Sequence, residues 1–258
     1  MNSDNGDGSA GDVNYGVIGG SYSQYRKPEP SIEALIGQAL GDAITVVNIG
    51  AGAGSYEPTG RNVTAIEPSS SMRAQRPSNL PIAIDAVAER LPFPDLSFDA
   101  SMATFTVHQW SDLKAGLGEM RRVTRGPAIV LTCDPDELSR FWLNEYAPEV
   151  ITTEARRYPP INSIAAALGP NVKVSSVPIP LACADGFNEA YYGRPERLLD
   201  PEARLACSAW SFATEAAVHR FTNALGRDLA DGTWDRMYGY LRTQPEFEGA
   251  LRLIVATR

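Results

Sequence analysis

The chain has 258 residues, of which 43% are hydrophobic and 21% charged, as in ordinary globular proteins. This length predicts one large domain, or one domain with a sizeable insertion. The net charge of −8 argues against a nucleic-acid partner, because an acidic chain repels phosphate backbones.

Other general features favour a cytoplasmic protein. No apolar run approaches the 18 residues of a membrane span, and the N-terminus lacks the basic-then-apolar pattern of a secretion signal. The three cysteines are far apart and lack metal-site spacing, which indicates thiols in a reducing compartment. We therefore expect a cytoplasmic protein without a membrane span, either a monomer or a homodimer.

The polar, acidic and glycine-rich residues 1–12 predict a disordered tail ahead of a domain over residues 13–258. The next segment carries Tyr22 and Arg26. One interpretation is a surface arm that packs aromatic rings against the core. The other is a lid in which both side chains contact a ligand carboxylate, which arginine pairs with well. An amphipathic helix over Ser31 to Leu40 follows.

A glycine-rich loop follows the first predicted strand, Val46 to Ile49. The strand is apolar and rich in β-branched residues, and the loop places glycines at alternate positions 50, 52 and 54. Glycine has no Cβ and tolerates positive φ, so a ligand can lie against bare backbone. In an α/β fold this loop falls at the carboxyl end of the sheet, where ligands bind. It predicts a site for a nucleoside-bearing cofactor.

The spacing of the loop decides between cofactors. A P-loop would need a lysine, which the loop lacks, and a dinucleotide motif would need glycine where Ser55 stands. Glu67 ends the second predicted strand, 17 residues after Gly50, near the distance at which an acid meets a ribose hydroxyl. Only residues 55–62 separate loop and strand, too few for a full crossover helix. We expect a helix of one turn there, or none.

The chain beyond Glu67 predicts further elements in order. Serines 69–71 can cap a short helix whose Met72 either points toward the nucleoside or fills the core. We expect five more strands, over Pro81–Ala86, Phe98–Thr104, Ala128–Thr132, Val172–Leu181 and Ala250–Thr257.

Residues 88–100 read AERLPFPDLSFDA. With the Gly-x-Gly-x-Gly loop, this passage resembles the type-11 group of Rossmann-like S-adenosylmethionine (SAM) methyltransferases, which includes the ubiquinone/menaquinone methyltransferases. The resemblance implies an α/β fold: a seven-stranded, mostly parallel sheet with an antiparallel edge hairpin, helices on both faces and a helical substrate cover. It also implies SAM as cofactor and S-adenosylhomocysteine as product. We expect the cover in residues 134–170 and 185–248.

The resemblance also implies which residues bind SAM. The acid that the family usually carries before its Ala-Glu pair is Val87 here, so the adenine amino group is met by backbone, by Glu89 or by Asp85. Asn48 is another departure, because an acid commonly stands there. The expected cofactor-binding residues are Tyr22, Arg26, Gly50, Ala51, Gly52, Gly54, Glu67, Pro68, Met72, Ala88, Glu89 and Thr104.

His108 is the candidate catalytic residue. It lies just after the fourth strand, beside the expected methyl donor, and an imidazole with a pKa of about 6.5 is a suitable general base. A structural role for His108 is an equal alternative. The only other histidine, His219, is 111 positions away, so we expect no metal site.

These features predict methyl transfer from SAM to a small, aromatic or hydrophobic acceptor by in-line displacement. The aromatic residues of the insertion and the acidic surface point to such an acceptor. The alternative is a SAM-binding protein of the same fold that does not methylate, either a pure binder or a cyclase-type enzyme that retains SAM.

Overall fold

The computed structural model describes residues 24–258, so the predicted disordered tail and Tyr22 lie outside the described residues. A mostly parallel sheet forms its centre. In chain order the strands are β1 (Thr45–Ile49), β2 (Asn62–Ile66), β3 (Ala100–Thr104), β4 (Ala128–Cys133), β5 (Val172–Ser176), β6 (Ile179–Pro180), β7 (Glu246–Phe247) and β8 (Leu251–Ala256).

The central sheet has the strand order β2-β1-β3-β4-β8-β5. Strands β2, β1, β3 and β4 are parallel, with Val46 opposite Val63 on one side and Ala100 on the other. Strand β8 runs antiparallel between β4 and β5. The carboxyl ends of β1, β2, β3 and β4 therefore share one edge, and the predicted site residues follow them.

The helices lie on both faces of this sheet, as predicted. Among the described residues the α-helices are α1 (Pro30–Leu40), α2 (Ser70–Ala74), α3 (Leu113–Val123), α4 (Leu143–Tyr146), α5 (Pro148–Arg157), α6 (Ile161–Leu168), α7 (Pro201–Leu205), α8 (Glu215–Ala230) and α9 (Thr233–Tyr238). Short 3₁₀ turns connect many of them, including Val107–Gln109 and Ser208–Phe212.

Alternate residues of β1 belong to two hydrophobic clusters. Val46 packs with α1 and with the aromatic core under α4, α5 and α8. Val47 packs on the opposite face with Leu117 of α3 and Ile164 of α6. Both faces of the strand are buried, which explains why its sequence is mostly apolar, with Asn48 as a buried polar exception. The sheet is thus held rigidly from both sides.

The connection between β1 and β2 contains turns and no helix. The short chain predicted this, because eight residues that include Pro58 and Gly60 cannot form a crossover helix. The glycine loop consequently returns directly to the neighbouring strand.

The predicted seven-stranded sheet has six strands. The segment Pro81–Ala86, expected as the third strand, makes only an isolated bridge between Ile66 and Ile84 beyond β2. Ile82 is 94% exposed there, so the apolar pattern is not covered by any helix. Pro81 also lacks the N–H that a ladder needs. At this sheet edge, which leaves Ile82 exposed, the segment pairs with β2 only through this one bridge.

The predicted sixth strand is interrupted. It ends as β5 at Ser176, and β6 resumes at Ile179 to pair with β7 in a separate two-stranded sheet. Pro178 and Pro180 cannot donate to a ladder, which explains the break. Strands β5 and β8 do pair antiparallel at the edge as expected, although residues 177–250 lie between them.

Candidate active site

The glycine loop is a backbone cradle at the end of β1. Gly50, Gly52 and Gly54 all have positive φ, at 70°, 51° and 98°. The Gly50 and Ala51 N–H groups donate to the carbonyl of Ile66 (2.9 and 2.8 Å), which fixes the loop against the end of β2. A Cβ on Gly50 would collide with the Thr106 side chain after β3. The loop therefore requires glycine for both its conformation and its close contact.

Glu67 lies against this loop. Its carboxylate is buried and accepts hydrogen bonds from the N–H groups of Gly52 (2.8 Å, to Oε2) and Ser69 (2.8 Å, to Oε1). Ser69 also caps α2 by accepting from the Met72 N–H (3.4 Å). The Met72 methyl group lies 3.3 Å from where a Gly52 Cβ would stand. The predicted loop, acid and methionine are therefore neighbours, and the exposed Pro68 follows the acid.

A buried ion pair contacts the backbone of the glycine loop. Arg76 and Glu57 are paired at 2.8 Å, with side chains only 4% and 2% exposed. Arg76 also donates to the Gly52 carbonyl (3.2 Å), and Asn48 Nδ2 donates to Glu57 Oε1 (3.1 Å). Where the family commonly has an acid, this chain has Asn48, and Glu57 supplies a carboxylate beside it. The sequence analysis missed this pair, since nothing in the spacing of the two residues indicates that they meet.

The segment expected to hold adenine leaves few free polar groups. Glu89 accepts from the Ser111 hydroxyl (2.9 Å) and the Asp112 N–H (3.1 Å), at the start of α3. Asp85 pairs with Arg73 at the surface (2.9 Å). Ala88 is buried, whereas Val87 is 45% exposed. Both candidate carboxylates already have protein partners, which favours the backbone as the contact to adenine.

The segment after β3 brings aromatic and basic side chains to the same edge. Thr104 ends the strand, and Phe105 follows with a φ of 52°, a strained value for a bulky residue. The Phe105 ring lies 6.4 Å from the Tyr56 ring and 5.6 Å from the Phe187 ring, measured between centroids. The Arg26 guanidinium lies over the Phe105 ring at 5.1 Å. These rings form an aromatic wall next to the glycine loop.

Arg26 is held in place by a buried carboxylate. Its Nε lies 2.5 Å from Oδ1 of Asp185, which is 2% exposed, and Tyr56 donates to the other oxygen of Asp185 (2.9 Å). The lid interpretation of the N-terminal segment placed Arg26 on a ligand carboxylate. Because Asp185 already pairs with the Arg26 guanidinium, a cofactor carboxylate would have to share Arg26 with Asp185.

His108 lies in the 3₁₀ turn Val107–Gln109 and is buried. Its ring packs on that of Tyr158 at 4.6 Å. Among the described residues its Nδ1 has no hydrogen-bond partner. Burial, with smaller effects from the positive charges of Arg157 and Arg26, lowers the pKa of His108 to about 3. The free protein therefore holds a neutral imidazole, a weaker base than its ordinary pKa suggests.

The end of β4 and the segment expected to form the substrate cover contribute further buried polar groups near His108. The Tyr158 hydroxyl donates to the Cys133 thiol, and burial raises the pKa of both groups. Burial also raises the pKa of Glu154, which accepts from Asn188 Nδ2 (2.7 Å). Sequence analysis placed the substrate cover here because of its aromatic residues and missed these polar ones.

Two general expectations can be compared with the described part of the chain. Within residues 24–258 there is no cluster of three or more histidine, cysteine, aspartate or glutamate side chains that could hold a metal ion. In the same range, every helix is too short or too polar to cross a membrane.

Comparison with known proteins identifies the family. A family model described as a methyltransferase domain matches residues 47–131, which include the loop, the acid and His108. A malonyl-[acyl-carrier protein] O-methyltransferase of Erwinia billingiae (strain Eb661) is 29% identical over 168 residues. The match covers 58% of this chain and 64% of that protein, so it spans less than two thirds of the relative's length.

Solved structures extend the similarity to nearly the whole chain. A protein of Anabaena variabilis ATCC 29413, described as a methyltransferase from an antibiotic biosynthesis pathway, is 30% identical with a TM-score of 0.84. The match covers 92% of this chain and all of that one. A geranyl diphosphate C-methyltransferase of Streptomyces coelicolor A3(2), solved with S-adenosylhomocysteine, shares the fold alone. It has 14% identity and a TM-score of 0.50, over 88% of this chain and 78% of that one.

The bare glycine backbone and the adjacent buried carboxylate fit SAM, whose nucleoside and methionyl parts need a close backbone approach and a ribose acceptor. With the sheet order and the whole-chain similarity, these features show that the chain belongs to the Rossmann-like, SAM-dependent methyltransferases.

Proposed function

We propose that this protein transfers the methyl group of SAM to a small molecule held between the glycine-loop edge of the sheet and the cover of residues 134–170 and 185–248. The observation that carries this proposal is the hydrogen bond from the Gly52 N–H to Glu67 Oε2 (2.8 Å), which joins the bare backbone of the loop to the acid. Glu67 would accept from the ribose hydroxyls, and Gly50, Ala51, Gly52 and Gly54 would line the methionyl part.

The remaining predicted contacts to the cofactor are also proposals. Met72 would pack on the nucleoside and Ala88 would meet adenine through its backbone, because the Glu89 carboxylate is engaged by Ser111 and Asp112. Thr104 and Pro68 would border the cofactor. Arg26 would reach it only together with Asp185, its partner at 2.5 Å.

SAM supplies an electrophilic methyl group on a sulfonium. The acceptor's lone pair forms the new bond to the methyl carbon while the carbon–sulfur bond breaks and its electron pair goes to sulfur. The leaving thioether needs no activation, so the protein contributes alignment and the exclusion of water. The aromatic wall of Tyr56, Phe105 and Phe187 supports an acceptor with a flat or apolar part.

We propose that His108 contacts the acceptor. A buried imidazole with a pKa near 3 holds a proton poorly, so His108 would mainly accept a hydrogen bond from the nucleophile and orient it. If the nucleophile is an O–H or N–H group, its proton would pass to His108 as the methyl group arrives and then to solvent. His108 would thus be a weak base that acts only on a bound acceptor.

Calorimetric titration with SAM, S-adenosylhomocysteine and NAD tests the proposal. We expect both sulfur nucleosides to bind and NAD not to bind. The Gly52→Val variant should lose both, because a β-branched side chain would fill the methionyl space and meet Met72. Unchanged affinity in this variant would refute the assignment of the loop.

Incubation with methyl-labelled SAM and candidate acceptors separates methyl transfer from the alternative of a SAM binder that does not methylate. Labelled product from the wild type, reduced in His108→Ala at unchanged SAM affinity, would support transfer. Tight SAM binding with no labelled product from any acceptor class would favour the non-methylating alternative.

A further inference from the structure

Arg157 is the last residue of α5 and one of the few buried cations of the described chain. Arg157 as a whole is only 7% exposed to solvent. The guanidinium donates from Nη1 to the Ser208 hydroxyl (2.7 Å) and lies over the Phe212 ring at 5.3 Å. Its other two nitrogens, Nε and Nη2, are buried and have no hydrogen-bond partner among residues 24–258.

The two unpartnered nitrogens belong to the same edge of the guanidinium. Nε and Nη2 point their hydrogens in parallel, and this edge pairs with the two oxygens of a carboxylate. Ser208 occupies only the opposite side of the group. Arg157 therefore presents an intact two-pronged donor inside the protein, where unsatisfied donors and an unpaired charge are costly.

Nearby acids do not supply the missing partner. Glu154 lies on the same helix, one turn earlier, yet it accepts from Asn188. No ion pair among the described residues includes Arg157, whereas Arg26, the other arginine that acts on His108, is paired with Asp185. The charge of Arg157 does act on Glu154, but no carboxylate of the described chain accepts a hydrogen bond from its Nε or Nη2.

Arg157 also lies on the acceptor side of the site. The adjacent Tyr158 packs directly on His108, and the positive charge of Arg157 helps to keep the His108 imidazole neutral. His108 follows β3, next to Thr106, which touches the glycine loop. These contacts place Arg157 close to His108, which follows the strand that ends beside the glycine loop.

We infer that the methyl acceptor carries a carboxylate and that Arg157 binds it through Nε and Nη2. This inference rests on the proposed methyl transfer and names the substrate class. Together with the aromatic wall, it describes an acceptor with a flat or apolar body and one anionic end. Arg157 would select this end, because a neutral analogue leaves the buried charge unpaired.

The test uses benzoate, benzamide and phenyl phosphate as probes on the full chain saturated with S-adenosylhomocysteine. NMR spectra of arginine Nε–H groups report on Arg157 directly, with its resonance assigned by its loss in Arg157→Met. We expect benzoate to shift this resonance and to bind at least about tenfold more tightly than benzamide, because charge-assisted hydrogen bonds exceed neutral ones. In Arg157→Met the preference for benzoate should vanish.

Two further variants complete the design. Arg140→Met removes an exposed arginine of the same cover that is paired with Glu137, and it should keep the preference for benzoate. Arg157→Lys keeps the charge without the two-pronged edge and should lose most of the preference even if Arg157→Met does not fold.

Three results would overturn the inference: no shift with benzoate, equal binding of benzoate and benzamide, or tighter binding of phenyl phosphate than of benzoate. Retained binding of S-adenosylhomocysteine in the same samples would leave the proposed function standing. Loss of that binding in the wild type would instead refute the proposed function itself.

Discussion

The proposed donor half and the proposed acceptor half of the site differ in how their charged groups are satisfied. Around the glycine loop, Glu57 is paired with Arg76, and Glu67 accepts two backbone N–H groups. Under the cover, Arg157 keeps two donors and His108 keeps Nδ1 without a partner among the described residues. The charged groups around the glycine loop are thus satisfied by the protein, although the neutral Asn48 Oδ1 there has no partner among the described residues, whereas the cation Arg157 is left with two unpartnered donors.

The two halves would therefore bind their ligands in different ways. A loop that the protein already holds in place binds the cofactor with little reorganisation, so less entropy is lost in ordering the loop. Unsatisfied groups in the cover make the site depend on the acceptor, because only a molecule of matching polarity removes their desolvation cost.

The largest effect is expected from breaking the buried ion pair. Arg76→Met leaves the Glu57 carboxylate buried without its cation and removes the hydrogen bond to the Gly52 carbonyl. We expect a loss of about 3–5 kcal/mol in the free energy of unfolding, measured by urea denaturation. Arg220→Met, which removes an exposed pair with Glu149, should cost less than about 1 kcal/mol. Equal losses would show that the pair does not brace the loop.

Two glycine substitutions compare the loop with an ordinary helix. Gly50→Ala must adopt a φ near 70° and collides with Thr106, so we expect it to lose about 2–4 kcal/mol of stability. Gly118→Ala lies exposed in α3 with no atom within 4 Å of the added Cβ. It should gain about 0.5–1 kcal/mol, since alanine favours helices. A tolerated Gly50→Ala would mean that the loop can rearrange.

Removal of the loop's acid should weaken the cofactor. Glu67→Ala deletes the proposed ribose acceptor and the brace on the Gly52 N–H, so SAM affinity should fall by about 1.5–3 kcal/mol. The measurement is calorimetry against Asp85→Asn, a surface carboxylate paired with Arg73, which should bind SAM as the wild type does. A loss in Asp85→Asn alone would instead place Asp85 on the cofactor.

Protonation of His108 should change stability gradually with pH, and it tests the unsatisfied half. Its folded pKa of about 3 lies below the ordinary value of 6.5, so between these pH values the unfolded chain binds the extra proton. Stability should therefore fall as the pH is lowered from 6.5 toward 3. The slope from this group is at most about 1.4 kcal/mol per pH unit.

Comparison with His108→Gln isolates that slope, because the buried Glu154 and Glu189 have raised pKa values and contribute with the opposite sign. The wild type should lose more stability than the variant between pH 6.5 and 5. Parallel curves would indicate that His108 is solvated and titrates normally.

The sequence alone predicted the glycine loop, the acid beside it and the missing crossover helix, because the signals for these features are local. The glycines, the acid after β2 and the short connection each lie within a few residues of the structure they determine. The third strand was wrong for a non-local reason. The segment does reach β2, but Ile82 stays exposed at the sheet edge, so only one bridge to β2 forms.

The acceptor half was predicted only as a covered region. Whether an arginine of α5 points inward depends on packing, since Arg156 is exposed and its neighbour Arg157 is buried. Helical spacing offered one signal, because Val150, Glu154 and Arg157 lie on one face at intervals of four and three. The missing partner of Arg157 could be seen only once the surrounding elements were placed.

A crystal structure with S-adenosylhomocysteine would test the contrast between the two halves most directly. We predict that the ribose hydroxyls donate to Glu67 and that the amino-acid part lies along Gly50 to Gly54. We also predict that Nε and Nη2 of Arg157 still have no protein hydrogen-bond partner in this complex. Nucleoside density away from Glu67, or an Arg157 that turns onto a protein carboxylate, would contradict the account.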